Sequence, residues 1–167
     1  MWILPHTSQR HFQMSPSEYT EPVYYSSLYR HGVDDKRRVQ VPAKWRPKAM
    51  EIQYTLILWP RGSHQNACLL VLPPQEWALL VGKLKAMPFS DPKAEALRRL
   101  VGTKSDRVVL DKVGRICLPE AMARLVGIEK DAVMVGLVDR FEIWNPEKYE
   151  AAMAVDEALL PDAFQMI

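Results

Sequence analysis

Two short stretches of this 167-residue chain carry the same charged pair at the same spacing. Val33–Pro42 reads VDDKRRVQVP and Leu110–Pro119 reads LDKVGRICLP. At a constant offset of 77, Asp34 falls on Asp111, Arg38 on Arg115 and Pro42 on Pro119. The apolar residues Val39 and Val41 fall on Ile116 and Leu118 at the same offset. An Asp-x-x-x-Arg pair supports two kinds of chemistry. In the structural one, the carboxylate accepts backbone N–H groups of its own turn and pairs with the arginine across it. An exposed pair of that kind contributes ~0 to 1 kcal/mol. In the other, the arginines recognise a ligand. Arg38 and Arg115, with Lys36, Arg37 and Lys112 beside them, sit at a turn and its exit, where charge is available. A guanidinium binds phosphate bidentately or reads the O6/N7 edge of guanine. In that use Arg38 and Arg115 approach the major groove or the backbone of double-stranded DNA. Lys36, Arg37 and Lys112 bind phosphate and set register, and Asp34 and Asp111 hold the turns in shape. The spacing alone leaves both uses open.

The elements that must position these residues follow from local patterns. Val23–Tyr25, Leu28–Tyr29 and Val39–Val41 have strand character, with the turn Asp34–Arg37 between them. Pro42 opens a short helical turn, PAKW, which Pro47 interrupts. Leu56–Trp59 and Ala67–Leu72 are two apolar strands around RGSHQN, which reads as a loop-like hinge, and Pro73-Pro74 stops the second. Gln75, Trp77, Leu80, Val81 and Leu84 recur at helical spacing, with Lys83 and Lys85 late in the helix, where cations suit its dipole. Ser90 or Asp91 caps the next helix, Pro92 sits early in it and Gly102 is its expected stop. The order then repeats: strand Arg107–Leu110, turn, strand Ile116–Leu118, helix from Pro119 to Gly127, strands Val133–Val138 and Phe141–Trp144, helix 147–160. Pro146 falls on Pro74 and Tyr149 on Trp77 at an offset of 72, so the first half carries the longer hinge. The chain is a duplicated unit of strand, turn, strand, helix, two strands and helix.

Composition narrows the classes of function. The formal net charge is only +2, yet Arg30–Arg46 holds six basic and two acidic residues, net +4, while 151–167 holds three acids and no Lys or Arg. Positive charge is thus focused where the first turn lies. No run approaches the ~18 to 20 apolar residues of a membrane span. Cys68 and Cys117 form no disulfide framework and no CxxC spacing, which suits a reducing cytoplasm. With His31 and His64 they match no zinc pattern, and both cysteines read as packing residues in apolar strands. No Ser or Cys stands beside a His with an orienting acid, and there is no Gly-rich phosphate loop. The tryptophans, Trp45, Trp77 and Trp144 among them, follow helix and strand faces and read as core. These observations predict no enzyme, no catalytic residue, no cofactor, no metal and no small-molecule substrate.

The residues Tyr25, Tyr29, His31 and VDDKRRVQVPAKWR in the first half, with LDKVGRICLP and GLVDRFEIWNPEKYE in the second, resemble the MraZ family of bacterial transcriptional regulators. That family is built from two tandem SpoVT-AbrB domains, and the resemblance covers about Tyr24 to Ala152. It implies an α+β, β-rich fold with short helices, in which two swapped-hairpin, AbrB-like half-barrels form an intrachain pseudo-dimer. The expected domain organisation is a flexible N-terminal extension (1–23), read from its polar, proline-containing composition, then a first repeat (24–88), a connecting helix (89–104), a second repeat (105–152) and an acidic C-terminal helix or tail (153–167). It also implies ring-like homo-oligomers, binding to short direct repeats upstream of the cell-division and cell-wall gene cluster, repression of that cluster including its own promoter, and work on the nucleoid.

The chain departs from the family pattern in places. The family usually has Gly just before the motif arginine; Gly114 keeps it and Arg37 replaces it. Glycine takes positive φ without steric cost and arginine does not. Ser27 stands where the family tends to have Gly, and the first 23 residues have no family counterpart. A rival expectation shares the fold: an oligomeric protein-interaction ring without specific DNA binding, its basic turns merely solvated. Tyr149, Met153 and Leu159-Leu160 of the last helix would then serve as a subunit contact or core cover.

Overall fold

The computed structural model describes residues 22–48 and 51–167, so the extension expected over 1–23 lies almost wholly outside the described residues. Eight strands and four helices follow in chain order: β1 (Leu28–Gly32), β2 (Arg38–Gln40), β3 (Gln53–Arg61), β4 (His64–Leu72), α1 (Pro74–Ala86), α2 (Pro92–Thr103), β5 (Ser105–Val109), β6 (Arg115–Cys117), α3 (Glu120–Val126), β7 (Asp131–Gly136), β8 (Phe141–Trp144) and α4 (Pro146–Ala163). A six-stranded antiparallel sheet runs β1-β7-β8-β4-β3-β5, and β2 and β6 form a separate two-stranded ribbon.

Each strand of the first repeat pairs with one of the second: β1 with β7, β2 with β6, β3 with β5 and β4 with β8. This is the swapped-hairpin pseudo-dimer. The registers carry its symmetry. Arg38 faces Cys117 and Gln40 faces Arg115, the same pair exchanged by the offset of 77, so Val39 and Ile116 meet at the pseudo-twofold axis. In the large sheet Leu69 faces Ile143 and Val71 faces Phe141, exchanged by an offset of 72, which leaves Leu70 and Glu142 on the same axis.

Alternation along the strands divides the core. Tyr54, Leu56, Leu58, Leu69 and Val71 point to one face, where they meet Val39, Val41, Ile116, Leu118 and α3. Ile57, Leu70 and Leu72 point to the other, under Leu84 of α1 and Val101 of α2. Strands covered on both faces explain the near-continuous apolar runs of β3 and β4. Tyr25, Tyr29, Trp45, Tyr54 and Phe141 form an aromatic cluster with ring centroids 5.1–5.7 Å apart. Trp45 is fully buried and donates Nε1–H to the Ser26 carbonyl at 2.9 Å. Trp144 is also buried, and Trp59 and Trp77 pack partly covered against the core.

Several local expectations need correction. RGSHQN is not a loop: β3 runs to Arg61 and β4 starts at His64, so the hinge is a tight hairpin turned by Gly62-Ser63, with Gly62 at φ 55°. The helix α2 passes through Gly102 to Thr103; Asp91 is its N-cap, accepting from Lys93 N–H. By contrast α3 ends where expected, with Gly127 at φ 74°. Cys117 is exposed, because Ile116 and Leu118 take the inward positions on either side of it. Leu159 and Leu160 are exposed too; α4 packs through Tyr149 and Ala152 against Trp144 and is tied to β3 by the Arg61–Asp156 ion pair. Among the described residues, no helix is long and apolar enough to cross a membrane.

Candidate nucleic-acid interface

The ribbon β2–β6 has an inside and an outside. Val39 and Ile116 are fully buried at its centre, so the flanking positions Arg38, Gln40, Arg115 and Cys117 lie on the outer face. Arg38 and Arg115 stand diagonally across this face, about 7–8 Å apart by sheet geometry. Duplication and cross-repeat pairing thus bring the two motif arginines, 77 residues apart in sequence, onto one small surface.

Each arginine is delivered by a turn with the same internal bonding. Asp34 Oδ1 accepts from the N–H of Lys36 at 3.0 Å and of Arg38 at 2.8 Å, and Oδ2 accepts from Arg38 Nε at 2.7 Å. Asp111 repeats this on Val113 N–H at 3.0 Å, Arg115 N–H at 2.8 Å and Arg115 Nε at 2.9 Å. The backbone closes both turns alike, from Asp34 N–H to Arg38 O and from Asp111 N–H to Arg115 O. The N–H of Arg38 holds the Asp34 carboxyl below its ordinary value, and the N–H of Arg115 does the same for Asp111. Both acids stay ionised at neutral pH and grip their arginines by the Nε side. The Nη end of each fork points away from that grip, and among the described residues it has no protein acceptor. A guanidinium end left free in this way is able to bind phosphate or a guanine edge.

The neighbouring basic residues are placed differently. Lys36 and Lys112 are exposed at the turns, with no side-chain partner among the described residues. They are not equivalent: Lys112 corresponds to Asp35, and Val113, 57% exposed, corresponds to Lys36. Arg37 holds φ 58° where Gly114 holds φ 84°, so the turn keeps its left-handed residue although the glycine is gone. Its Nε donates to the Leu118 carbonyl of the other repeat at 3.0 Å. Two further groups brace the ribbon without having been singled out from the sequence. Gln40 Nε2 donates to the Val113 carbonyl at 2.9 Å, and Arg46 Nε to the Val41 carbonyl at 2.8 Å. The signal for Arg46 was Pro47, which disfavours helical backbone at the residue before it.

The residues weighed for metal or nucleophilic chemistry lie apart. His31 stacks on Tyr29 in β1, His64 is exposed at the β3–β4 turn, and Cys117 is on the ribbon. Cys68 is buried, and burial pushes its thiol up, away from the reactive thiolate. Among the described residues no three His, Cys, Asp or Glu side chains group to hold a metal.

Comparison with known proteins agrees with this architecture. The family model described as "MraZ protein, putative antitoxin-like" matches residues 25–100 and 103–163. The chain is 36% identical over 122 residues to a protein named Transcriptional regulator MraZ from Clostridium tetani, covering 73% of this chain and 82% of that one. It is 37% identical over 125 residues to the protein of the same name from Herpetosiphon aurantiacus, covering 75% and 83%. A third, from Thermomicrobium roseum, is 37% identical over 123 residues, covering 74% and 82%.

Proposed function

The chain belongs to the MraZ family, and from that premise we propose that it is a sequence-specific DNA-binding transcriptional regulator. The observation that carries the proposal is the outer face of the β2–β6 ribbon. There Arg38 and Arg115 are presented as a pseudo-symmetric pair, each oriented through Nε by its own carboxylate with its Nη end free for a ligand. Preorganised forks lose little freedom on binding, which is what planar recognition of a guanine edge or a phosphate needs. Arg38 and Arg115 approach the groove. Lys36, Arg37 and Lys112 bind phosphate around them, and Asp34 and Asp111 keep the turns in shape.

Two arginine forks on so small a face are a weak site alone. Several copies of the chain, set along short direct repeats, would multiply them. We therefore extend the proposal to a homo-oligomer that binds such repeats upstream of its own gene and represses the division and cell-wall cluster, in the cytoplasm and on the nucleoid. This is a binding protein's chemistry, not an enzyme's. The rival reading, a protein-interaction ring, is favoured by the apolar end of α4 and the 3₁₀ turn Phe164–Met166 that follows it. Leu159, Phe164 and Met166 are 59%, 64% and 85% exposed there.

A gel-shift titration on duplex DNA from upstream of the gene separates the two. Specific, salt-sensitive binding is expected. It should weaken by about 100-fold or more in Arg38→Ala/Arg115→Ala, since each well-made base contact contributes ~1 to 3 kcal/mol. A folded double variant that binds like the parent would overturn the proposal. A folded parent that ignores the duplex at physiological salt would favour the interaction ring.

A further inference from the structure

Two guanidinium groups occupy equivalent places beside the two turns, although they come from non-equivalent residues. Across the ribbon, Leu118 N–H donates to the Arg37 carbonyl at 2.8 Å and Val41 N–H to the Gly114 carbonyl at 2.9 Å. These are one bond repeated at the offset of 77. The carbonyls of the same two residues each accept from an arginine Nε: Leu118 from Arg37, Val41 from Arg46. Arg37 is the left-handed residue of the first turn and uses its own side chain. In the second turn that position is Gly114, which has none. Arg46 takes the vacant space. A Cβ on Gly114 would stand 2.4 Å from Cζ and from Nε of Arg46.

The exchange has a local cause in the sequence. Pro47 disfavours helical backbone at Arg46, which is extended at φ −82° and ψ 122° and closes the short turn Ala43–Trp45. From there its side chain reaches back to the Val41 carbonyl. The counterpart of Arg46 at the offset of 77 is Ala123, buried inside α3. The second repeat therefore has no arginine to lend to the first turn, and Arg37 supplies one in place of glycine. Arg37 and Arg46 are both half-buried. Among the described residues, neither makes a hydrogen bond to protein through its Nη groups.

We propose that Arg46 is a further DNA-contacting residue, standing in for the side chain that Gly114 lacks. Each turn then presents two guanidinium groups, Arg37 with Arg38 and Arg46 with Arg115. In each pair the carboxylate-held arginine reads the groove, and the carbonyl-held one takes an adjacent phosphate. This rests on the DNA-binding reading above.

The test is a set of substitutions at one position and its complement, read by titration on the upstream duplex at several salt concentrations, with thermal melting alongside. Arg46→Ala is expected to weaken binding about 10-fold and to lower the magnitude of the log–log salt slope by about 0.9, the signature of one lost phosphate contact. Arg46→Lys keeps the charge and should keep the slope while losing part of the affinity. Gly114→Arg added to Arg46→Ala rebuilds in the second turn the arrangement of the first, and should recover both affinity and slope. On the parent background the same Gly114→Arg meets Arg46 and should weaken binding. If Arg46→Ala is folded and keeps the parent's affinity and salt slope while Arg38→Ala/Arg115→Ala loses binding, Arg46 is a brace only and the proposal fails. A folded Gly114→Arg/Arg46→Ala protein that regains nothing also overturns it. Should Arg46→Ala melt before it can be assayed, the slope of Arg46→Lys against that of Arg46→Gln decides in the same way. A parent that does not bind the duplex at all overturns the DNA reading itself, and this proposal with it.

Discussion

The two repeats share a turn and differ in what backs it. The turns agree in every bond of the carboxylate, to two backbone N–H groups and one Nε, within 0.2 Å. Behind the first lies a single 3₁₀ turn bearing Trp45; behind the second lies the helix α3, with Met122 at the corresponding position. Gly114 and Arg37 likewise differ at the left-handed position. Conserved geometry at the tips above divergent packing implies that the tips are what both repeats must present. The scaffold beneath was free to change, because any filling of the right volume holds a ribbon whose inward residues are the aliphatic Val39, Val41, Ile116 and Leu118.

The comparison breaks hardest in the core. Trp45→Ala empties a fully buried indole and strands the Ser26 carbonyl, at a cost of about 3–5 kcal/mol. Met122→Ala, 6% exposed and flexible, should cost less, about 2–3 kcal/mol. Urea unfolding of the two variants checks the order; equal losses would mean the repeats lean on their backing elements alike. Next comes the other glycine contact. A Cβ on Gly136 would stand 2.4 Å from the Tyr25 carbonyl oxygen, and Ser27 beside it holds φ 83°. The corresponding position in β3 is Leu58, whose backbone partner Lys104 has an ordinary φ of −109°. Gly136→Ala should therefore cost about 1–3 kcal/mol by overpacking, while Leu58→Ala leaves a cavity instead. A Gly136→Ala protein as stable as the parent would remove the asymmetry.

Smaller effects sharpen the turns themselves. Gly114→Ala adds ~1 kcal/mol or more of left-handed strain and displaces Arg46. Arg37→Gly relieves similar strain and loses one hydrogen bond of ~1 kcal/mol, so it should lie within about 1 kcal/mol of the parent. Chemical denaturation of the pair reads the difference directly; a Gly114→Ala cost no larger than that of Arg37→Gly would mean the left-handed position does not matter.

How much of this was legible in the sequence follows from the range of the forces involved. The Asp–Arg turns, the duplication and the apolar strands were legible, because side-chain period and turn chemistry act within a few residues. The alternation of Val39-Gln40-Val41 was legible too, though not its pairing with Ile116. What failed was local pattern overruled by a distant contact. Arg61–Asn66 has loop composition, yet β3 and β4 pair with each other as far as Arg61 and His64 and take up most of it. Gly102 resembles a stop, yet Leu100 and Val101 bury against α1 and β3 and carry α2 onward. Arg46 showed as one charge in a basic run with Pro47 behind it; its place over Gly114 depends on folding one repeat across the other. The cross-repeat pairing itself came from the family resemblance and not from periodicity.

The two carboxylates supply the finest test of equivalence. Each is held below its ordinary value chiefly by the N–H of the arginine four residues on, with the guanidinium adding to it. A depressed folded value means that the turn's contribution is fully present above the ordinary Asp value of 3.8 and fades only as pH falls through the lowered one. Between pH 5 and 8, then, neither turn changes its charge or its bonds, and any pH dependence of DNA binding in that window must come from elsewhere. Carboxyl-detected NMR titration should find Asp34 and Asp111 both titrating below 3.8 and close to one another, because their bonds match. If Asp111 titrates lower while Asp34 sits near the ordinary value, the left-handed Arg37 has loosened the first turn, and the two tips are alike in backbone but not in grip.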